Sequence, residues 1–394
     1  MTRVDFGTAL RLARESDPAA VPEILAAAAS GFGATDLVVY LVDFGQTTLE
    51  PLPDRASHAD LPANEDVAVS MAGKAFKDAA LVSADRGASL RVWVPVMEGS
   101  DRTGVLAVTV PTNDAKLLAA CEELGLLAGY LIAAHARCTD LYNLYRRRRS
   151  LSLAASMQWD LLPPLVLKTS AVAVAGLIEP AYDVGGDCFD YAANGPVCAV
   201  AIMDAVGHDL ESAAIAALAI GAYRHGRREA LPLDALHNGL AAAIRSQYDG
   251  ATFATGVLAR IDTATGLLRW TNAGHPAPLL LRNGHVVREL KQKSTPPWGV
   301  FDETPTVATE SLEPGDCLLL YTDGVTEART PAGDEFGLDR LIGLVEGIAS
   351  DLLPPEEMVR LLIRSVLEHQ HAALADDATV VLVQWNGADG ARSH

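Results

Sequence analysis

In the second half of this chain, short apolar stretches repeatedly end at an aspartate that is followed by a small residue. Residues 197–204 read VCAVAIMD, and residues 317–324 read CLLLYTDG. Apolar runs of this length are typical of buried strands, and a charged residue ends such a run because burying a charge is costly. A fold built from these strands places several carboxylates at the rim of its sheets.

Four aspartate motifs of this kind follow one another over about 190 residues. They centre on Asp187 in DVGGDCFDY, Asp204 in IMDAVGHD, Asp323 in YTDGVTEA and the pair Asp376 and Asp377 in LADDATVV. The small residues beside the aspartates allow a backbone carbonyl to approach an ion. A single motif is a common turn, so the interpretation depends on the order of all four.

The donor chemistry of these motifs favours a hard divalent cation. They supply carboxylate and carbonyl oxygens without His or Cys partners, which is the ligand set of Mg²⁺ or Mn²⁺. Carboxylates that converge without a cation repel each other, and their pKa values rise. Two ions roughly 3.5–4 Å apart would remove that penalty and activate a water for an in-line phosphoryl displacement.

Strands and helices alternate after Pro164. The predicted strands are 171–178, 197–204, 252–261, 267–273, 278–282, 316–322 and 378–385, and the predicted helices are 210–228, 232–248, 338–348 and 355–370. The DTATG and NG turns join neighbouring strands as hairpins, which predicts largely antiparallel sheets. Two such sheets need helices over their outer faces, so we predict a layered α/β sandwich.

The first part of the chain predicts an α+β domain with one antiparallel sheet. Its helical patterns cover 5–30, 66–77 and a stretch from 114 to about 162, and its strands cover 37–42, a short segment near 49, 90–96 and 103–110. Helices that alternate with strand pairs in this way are typical of a sheet with helices packed on it.

Residues 141–162 predict a connecting helix. Apolar residues recur there at spacings of three and four, although Arg148 and Gln158 interrupt the seam. Such a helix could pair with its own copy as a short coiled coil, which predicts a homodimer. The basic run 146–149 is interpreted as a solvated helix face. Prolines 163 and 164 end the segment.

Charge, cysteine content and hydropathy limit the partners and the compartment. The 394 residues include 31 Lys plus Arg and 50 Asp plus Glu, a formal charge of −19. Such a surface repels nucleic acid and anionic lipid, so neither is an expected partner. The five cysteines are scattered without a CxxC pair, which is typical of reduced thiols in a cytoplasmic protein. We expect no signal peptide, and the apolar stretch 124–134 is too short to span a bilayer.

The aspartate motifs and the sequence around them resemble the stage-II-sporulation-E type branch of the metal-dependent PPM (PP2C-like) phosphatases. The resemblance covers about residues 165–388 and is carried by PAYDVGGDCFDY, AIMDAVGHDLESAAIAALA, FATGVLARIDTATGLLRWTNAGHPAPLLLR, LLLYTDGVTEARTPAGDEFG and DDATVVLV. It implies an αββα β-sandwich phosphatase domain over 165–394, with two Mn²⁺ or Mg²⁺ ions at one rim.

The resemblance also implies which residues bind the ions. The implied ligands are the side chains of Asp187, Asp204, Asp323 and Asp376 and the backbone carbonyl of Ala205. Asp377 is the rival of Asp376 at the last position, and the first aspartate of the pair is preferred.

Two features of the motifs affect this interpretation. The family often has Gly-Asp-Val-Ser-Gly-His-Gly at the second motif, whereas residues 203–209 here read MDAVGHD. The aspartate is retained, so activity is expected, and Asp209 adds a carboxylate beside the site. His208 and His275 lie in glycine-rich turns and are interpreted as residues tied to the backbone rather than as general acids.

The first part of the chain resembles a GAF domain over about residues 8–138. The segments GATDLVVYLVD, GKAF and RVWVPVMEGSDRTGVLAVTV carry this resemblance. It implies a sensory domain over 1–138, with a small-molecule or protein effector, joined by a helical linker over 139–164 to the phosphatase domain.

Together these expectations describe a regulated metal-dependent serine/threonine protein phosphatase. The family resemblance suggests a phosphorylated STAS-type anti-sigma-factor antagonist as substrate, in a partner-switching pathway. One alternative is a catalytically weak or inactive phosphatase-fold scaffold, or a ligand sensor that signals through dimerisation. Another is a two-metal phosphodiesterase, although such sites usually include His ligands.

Overall fold

The structure is a computed structural model that describes residues 4–53, 61–179, 182–183, 185–207, 209–248, 252–301, 303–371 and 376–388. The chain divides into two units, Met1–Ser150 and Leu151–His394.

The N-terminal unit combines helices with a single sheet. Its helices are α1 (Phe6–Glu15), α2 (Val21–Ser30), α3 (Met71–Asp78), α4 (Ala115–Ala136) and α5 (Leu141–Arg146). Its strands are β1 (Thr35–Val42), β2 (Thr48–Leu52), β3 (Glu65–Asp66), β4 (Val82–Asp85), β5 (Leu90–Glu98) and β6 (Asp101–Val110). The sheet order is β3-β2-β1-β6-β5-β4, and the neighbouring strands are antiparallel. The predicted α+β architecture of this unit is confirmed.

Both faces of this sheet are covered. Leu25 of α2 and Leu124 of α4 pack with Val92 of β5 on one face, while Phe76 of α3 packs with Val105 of β6 on the other. The two faces alternate along each strand because successive side chains point to opposite sides.

The helical pattern over 5–30 becomes two helices. Asp17 has an extended backbone and its side chain accepts a hydrogen bond from the Ala19 N–H group at the start of a short 3₁₀ turn, Pro18–Ala20. A residue before proline avoids the helical conformation, so the first helix ends here and α2 begins at Val21.

Helix α4 is longer than the apolar stretch 124–134 suggests. It has 22 residues, and an 18-residue window within it has a mean hydropathy of 1.6, which is long and apolar enough for a membrane span; half of that window is buried inside the unit. The expectation that this stretch is too short was therefore wrong. Its contacts with β5 are those of a core helix.

The C-terminal unit contains most of the strands. Its helices are α6 (Leu153–Leu161), α7 (Leu210–Arg228), α8 (Leu233–Tyr248), α9 (Asp323–Thr326), α10 (Leu338–Ala349) and α11 (Pro355–His369). Its strands are β7 (Val166–Lys168), β8 (Val172–Glu179), β9 (Asp187–Asn194), β10 (Val197–Ala205), β11 (Ala254–Asp262), β12 (Leu267–Ala273), β13 (Leu279–Arg282), β14 (His285–Glu289), β15 (Ala308–Ser311), β16 (Cys317–Tyr321) and β17 (Ala378–Trp385).

These strands form two antiparallel sheets that pack face to face. One sheet has the order β15-β12-β11-β10-β9 and the other β14-β13-β16-β17-β8-β7. The main core lies between them and extends to α10 and α11, which cover the outer face of the six-stranded sheet. Helices α7 and α8 cover the outer face of the five-stranded sheet. The predicted αββα sandwich is therefore present.

Strand β10 shows how the sequence specifies these layers. Val200 and Ile202 belong to the core between the sheets, whereas Ala201 and Met203 pack under α7. A strand buried on both faces reads as a continuous apolar run, which is the pattern VCAVAIM.

The segment 141–162 is not one helix, which corrects the predicted connecting helix. Helix α5 ends at Arg146, Arg147 has an extended backbone, and α6 begins only after Ser152, whose side chain caps it. Helix α5 belongs to the N-terminal unit, where the Tyr142 hydroxyl donates to the Pro18 carbonyl. Helix α6 belongs to the C-terminal unit. Helix α6 has a start of its own, because the Ser152 hydroxyl accepts a hydrogen bond from the Ala155 N–H group.

Candidate active site

Asp187 and Asp204 lie side by side at the end of the five-stranded sheet. Asp187 begins β9, Asp204 lies one residue before the end of β10, and the two are direct partners in the antiparallel ladder. Phe189 lies two residues after Asp187 and Ile202 two residues before Asp204, and both side chains point into the core between the sheets. Since side chains alternate along a strand, both carboxylates continue that inward face.

The other aspartates come from the facing sheet at the same end. Strand β16 ends at Tyr321, which pairs with Val380 near the start of the antiparallel strand β17. The end of β16 and the start of β17 therefore share one edge. Asp323 lies two residues after the end of β16, and Asp376 and Asp377 immediately precede β17.

Two threonines hold Asp187 from the facing sheet. Thr322 Oγ1 and Thr379 Oγ1 donate to Asp187 Oδ2 at 2.7 Å and 2.6 Å. Asp187 is 2% exposed, so these bonds replace water at a buried carboxylate. They also join the two sheets at the candidate site.

Asp377 holds the loop that leads into β9. Its Oδ2 atom accepts hydrogen bonds from the N–H groups of Gly185, Gly186 and Asp187 at 2.7, 2.8 and 3.3 Å. Asp377 is buried, whereas its neighbour Asp376 is exposed. The two adjacent carboxylates therefore have different surroundings, and one of them is occupied by backbone donors.

Two glycines allow these segments to approach each other. A Cβ atom at position 186 would lie 2.1 Å from the carbonyl oxygen of Ala205, and one at position 324 would lie 1.8 Å from the carbonyl oxygen of Asp377. Neither position has room for a side chain. The Ala205 carbonyl therefore lies against the loop that carries Asp187.

Burial and mutual repulsion make the aspartates weaker acids. Burial and the carboxylates of Asp323, Asp376 and Asp377 raise the pKa of Asp204 to about 7. Burial and the carboxylates of Asp204 and Asp377 hold the pKa of Asp187 well above its ordinary value. These effects are those expected of anions gathered without a counter-ion.

The other two affected carboxyls follow the same pattern. Burial raises the pKa of Asp377 to about 6, although the three backbone N–H groups act in the opposite direction. Burial and the neighbouring carboxylates of Asp376 and Glu327 raise the pKa of Asp323.

The residues present fit divalent cations. Among the described residues, no three His, Cys, Asp or Glu side chains already stand together in the geometry of a metal site. The aspartates are nevertheless close enough to raise each other's pKa values. Oxygen donors without His or Cys suit Mg²⁺ or Mn²⁺, and a bound cation would remove the repulsion between them.

Helix α6 contacts the candidate site through Gln158. This side chain is 1% exposed, and its Nε2 atom donates a 2.7 Å hydrogen bond to the carbonyl of Gly185. Gly185 is one of the residues held by Asp377. The loop before Asp187 is therefore fixed by α6 on one side and by the start of β17 on the other.

A buried ion pair connects β9 to α7. Both Asp190 carboxylate oxygens accept from Arg224, at 2.9 and 3.1 Å, and Arg227 donates to Oδ2 at 2.9 Å. Arg224 also donates to the carbonyl of Leu161 at the end of α6. Helices α6 and α7 are thus joined to the strand that begins with Asp187.

The structure brings the predicted site residues to one end of the sandwich. His208 lies outside the described residues. His275 is buried, and its backbone N–H and carbonyl groups both bond to the Asn272 side chain. Its ring Nδ1 atom lies 2.8 Å from the Thr255 hydroxyl, so the side chain has a side-chain partner that the sequence interpretation did not include.

Sequence reasoning missed the residues that support the aspartates. Thr322 and Thr379 stand inside the quoted YTDG and DDAT segments, next to predicted ligands, so a signal for them existed. No such signal existed for Gln158. As a polar residue among the apolar positions of 141–162, it was interpreted only as an interruption of the predicted coiled-coil contact. Its partner, the Gly185 carbonyl, is brought near only by the tertiary fold.

Comparisons with known proteins bear on the C-terminal unit. The family profile of Stage II sporulation protein E (SpoIIE) matches residues 195–386. Protein IcfG of Synechocystis sp. is 31% identical over 140 residues, which cover 35% of this chain and 22% of IcfG. Phosphoserine phosphatase RsbU of Bacillus subtilis is 25% identical over 245 residues, which cover 60% of this chain and 70% of RsbU.

A solved structure agrees with this result. The SiaA-PP2C domain of Pseudomonas aeruginosa has a TM-score of 0.50 at 24% identity, over 59% of this chain and 94% of that domain. At this identity the likeness concerns the fold, which is of the PP2C type. The family match begins after Asp187, whose place in the site follows from its pairing with Asp204. The C-terminal unit of this chain belongs to the SpoIIE family of PP2C-type phosphatase domains.

Proposed function

We propose that this chain is a divalent-cation-dependent phosphatase that removes phosphate from serine or threonine of a protein. The observation that carries the proposal is the direct pairing of Asp187 with Asp204 opposite the aspartates of the facing sheet. The family match supports it, and RsbU is named a phosphoserine phosphatase.

Each aspartate has a role in this proposal. Two Mn²⁺ or Mg²⁺ ions would be held by the side chains of Asp187, Asp204, Asp323 and Asp376 and by the Ala205 carbonyl. Asp377 holds the loop through three N–H groups, so we prefer Asp376 as the ligand of the pair.

The bound ions would neutralise the carboxylates, orient the phosphate and lower the pKa of an attacking water. The protein's own part is to hold the ligands in place. Thr322 and Thr379 fix the Asp187 carboxylate, and burial keeps competing water away from it. We propose direct attack by water, without a covalent phosphoenzyme.

The proposed substrate is a phosphorylated STAS-type anti-sigma-factor antagonist in a partner-switching pathway. The family resemblance and the similarity to RsbU support this choice. The acidic chain, with a formal charge of −19, does not favour nucleic acid or an anionic membrane as a partner. We propose that the protein is cytoplasmic, in keeping with its free cysteines, of which Cys121, Cys188 and Cys198 are buried.

Regulation is proposed to reach the site through α6 and α7. Gln158 of α6 bonds to the loop before Asp187, and Arg224 of α7 bonds both to α6 and to β9. A movement of α6 would therefore displace the loop that carries a proposed ligand. We propose the N-terminal unit as the source of this movement, acting as a GAF-like sensory domain for a small-molecule or protein effector.

We further propose that the chain forms a homodimer. Leu126 and Tyr130 lie one turn apart on α4 and are 51% and 67% exposed. A second copy would cover this apolar pair. Sedimentation of the wild type and of Leu126→Lys tests this, since a dimer that dissociates in the variant supports the proposal and an unchanged monomer contradicts it.

Turnover of different substrates tests the proposed function against its alternatives. A phosphoserine protein, p-nitrophenyl phosphate and a cyclic dinucleotide are each incubated with the full chain and Mn²⁺. We expect release of phosphate from the first two. Hydrolysis of the dinucleotide would favour a phosphodiesterase, and Mn²⁺ binding without any turnover would favour a scaffold or a sensor that signals through dimerisation.

A further inference from the structure

Thr255 of β11 lies beside Asp204 on the side opposite to Asp187. The ladder between β10 and β11 pairs Asp204 with Thr255, and the ladder between β9 and β10 pairs it with Asp187. Val257, two residues along β11, points into the core between the sheets. Thr255 shares that face because side chains alternate. Three neighbouring strands thus present Asp187, Asp204 and Thr255 in one row.

The far side of Thr255 is occupied by the imidazole of His275. Thr255 Oγ1 lies 2.8 Å from His275 Nδ1, and the histidine is 7% exposed. Burial lowers the pKa of His275 to about 3, although the nearby Tyr321 carbonyl acts in the opposite direction. The ring is therefore neutral at physiological pH, with one proton shared between two possible nitrogens. The Thr255 hydroxyl stands between this ring and a carboxylate.

The position of His275 is fixed by Asn272 and Ser294. Asn272 Oδ1 accepts the His275 N–H group at 2.9 Å, and Asn272 Nδ2 donates to the His275 carbonyl at 2.8 Å. Ser294 Oγ lies 2.9 Å from the same Asn272 Oδ1 atom and accepts from the Gly274 N–H group. With both of its backbone groups bonded, His275 presents its ring to Thr255 in one place.

The hydroxyl of Thr255 has one proton, and Asp204 is its stronger acceptor when the carboxyl is ionised, as it would be when it binds a cation. Hydrogen bonds to an ionised group are about twice as strong as those between neutral groups. When the hydroxyl donates to Asp204, its oxygen accepts from His275 and the ring proton is on Nδ1; a ring proton on Nε2, toward the Tyr321 carbonyl, would instead make the hydroxyl donate to Nδ1. The cross-strand pairing places Thr255 directly beside Asp204; burial and neighbouring carboxylates raise the pKa of Asp204, and the Thr255 hydroxyl acts in the opposite direction.

We propose that Thr255 and His275 are positioning residues that orient the Asp204 carboxylate toward a divalent cation. This inference rests on the proposed function, because it assumes that Asp204 is a ligand. Neither residue touches the substrate: His275 acts through Thr255, and Thr255 acts through Asp204. Partners of this kind behind a metal ligand change metal affinity by about 10–100-fold when they are removed.

Mn²⁺ binding to the full chain, measured by titration calorimetry, tests the inference. Thr255→Val keeps the shape of the side chain but has no hydroxyl, so its Mn²⁺ affinity should be lower by about tenfold or more. Thr255→Ser keeps the hydroxyl and should restore most of the affinity. His275→Asn keeps an N–H donor near the Nδ1 position and should bind Mn²⁺ more tightly than His275→Leu.

Thr271→Val is a matched control. Thr271 is likewise a threonine beside a buried histidine, with its Oγ1 atom 3.2 Å from Nδ1 of His237. Its neighbour on β11 is Leu258, and it is fully buried, whereas Thr255 is half-buried. The control loses the same chemical group next to a histidine, in more deeply buried surroundings, so it is the more demanding test of stability. Thr271→Val should keep the wild-type affinity for Mn²⁺. A loss of affinity that occurs in Thr255→Val but not in Thr271→Val is then due to the orientation of Asp204 and not to a general loss of stability.

The outcomes distinguish this inference from the proposed function. Wild-type protein that binds no Mn²⁺ would overturn the proposed function, and the inference with it. Wild-type protein that binds Mn²⁺, with Thr255→Val equal to it, would overturn the inference alone. The ¹⁵N spectrum of the imidazoles gives an independent readout: a proton on Nδ1 of His275 supports the inference, and a proton on Nε2 contradicts it.

Discussion

The N–H group of Gly186 donates a 2.8 Å hydrogen bond to Oδ2 of Asp377, across 191 residues of sequence. The same oxygen accepts from Gly185 and Asp187. A carboxylate at the start of β17 thus holds the loop that leads into β9. Its exposed neighbour Asp376 is free of this task, so two adjacent aspartates have separate roles.

Replacing each of these aspartates by alanine should separate the two roles. Asp377→Ala removes the acceptor of three buried N–H groups and should lower the free energy of unfolding by about 3 kcal/mol or more. Asp376→Ala should leave the unfolding of the metal-free protein nearly unchanged and should weaken Mn²⁺ binding. Thermal unfolding in EDTA and titration calorimetry measure the two effects, and the reverse pattern would contradict the assignment.

Gly186→Ala should disrupt the site by steric conflict. The new Cβ atom would lie 2.1 Å from the Ala205 carbonyl oxygen, which belongs to the backbone and cannot move aside cheaply. We expect loss of Mn²⁺ binding and of phosphatase activity.

The control for this substitution is Gly343→Ala in α10. A Cβ atom at position 343 meets no atom within 4 Å, and alanine favours a helix over glycine by about 0.5–1 kcal/mol. This variant should be as active as the wild type and slightly more stable. Equal activity of Gly186→Ala and Gly343→Ala would show that the close approach of Gly186 and Ala205 is dispensable.

The raised pKa of Asp204 predicts a pH-dependent effect of Asp204→Asn. A carboxyl whose pKa is raised to about 7 by burial and neighbouring carboxylates stabilises the fold when protonated, and that contribution is lost as the pH rises through 7. In EDTA the variant should therefore gain stability relative to the wild type between pH 5.5 and pH 8.5. Both proteins contain the same buried histidines, so the contribution of histidine titration to the free energy of unfolding cancels in this difference.

Mn²⁺ should reverse this trend. Cation binding favours ionised carboxylates and releases protons, so Mn²⁺ should stabilise the wild type more at pH 8.5 than at pH 5.5. Asp204→Asn should lose most of this stabilisation. Chemical denaturation with and without Mn²⁺ at the two pH values provides the comparison, and a pH-independent difference in EDTA would argue against a perturbed Asp204.

Asp190→Asn should destabilise the C-terminal unit. It leaves Arg224 and Arg227 without their counter-charge in a site where their side chains are 25% and 11% exposed. The cost should be about 2–3 kcal/mol. The exposed pair of Lys293 and Glu303, whose side chains are 77% and 38% exposed, supplies the control, because Glu303→Gln should change stability by less than about 1 kcal/mol. A similar loss of unfolding free energy in both variants would contradict the larger contribution assigned to the buried pair.

The apolar pattern predicted the layers of the C-terminal unit well. Strands such as β10 and β17 are continuous apolar runs, and α7, α8, α10 and α11 have clear helical spacing, so their positions follow from the sequence. Strand β9 was missed because DCFDYAAN has no such run: its Asp187 and Asp190 are buried through partners on other elements. Burial of this kind depends on tertiary contacts.

The same limit explains what was missed around the site. The convergence of the aspartates could be predicted, because each stands at a strand end and the strands are antiparallel. The division of work between Asp376 and Asp377 could not, because it depends on N–H groups about 190 residues away. The prediction of one helix over 141–162 was wrong for a different reason. The apolar spacing continues through residues 147–152, but in the structure these residues separate two helices, α5 and α6.

Hydrolysis of p-nitrophenyl phosphate by the full chain tests the central claim that these aspartates form a metal-dependent phosphatase site. The assay compares wild type and Asp323→Asn, with Mn²⁺ and with EDTA, after circular dichroism has shown both proteins to be folded. We predict turnover by the wild type that requires Mn²⁺ and is abolished by Asp323→Asn. Turnover that persists in EDTA, or equal rates for the two proteins, would contradict the account.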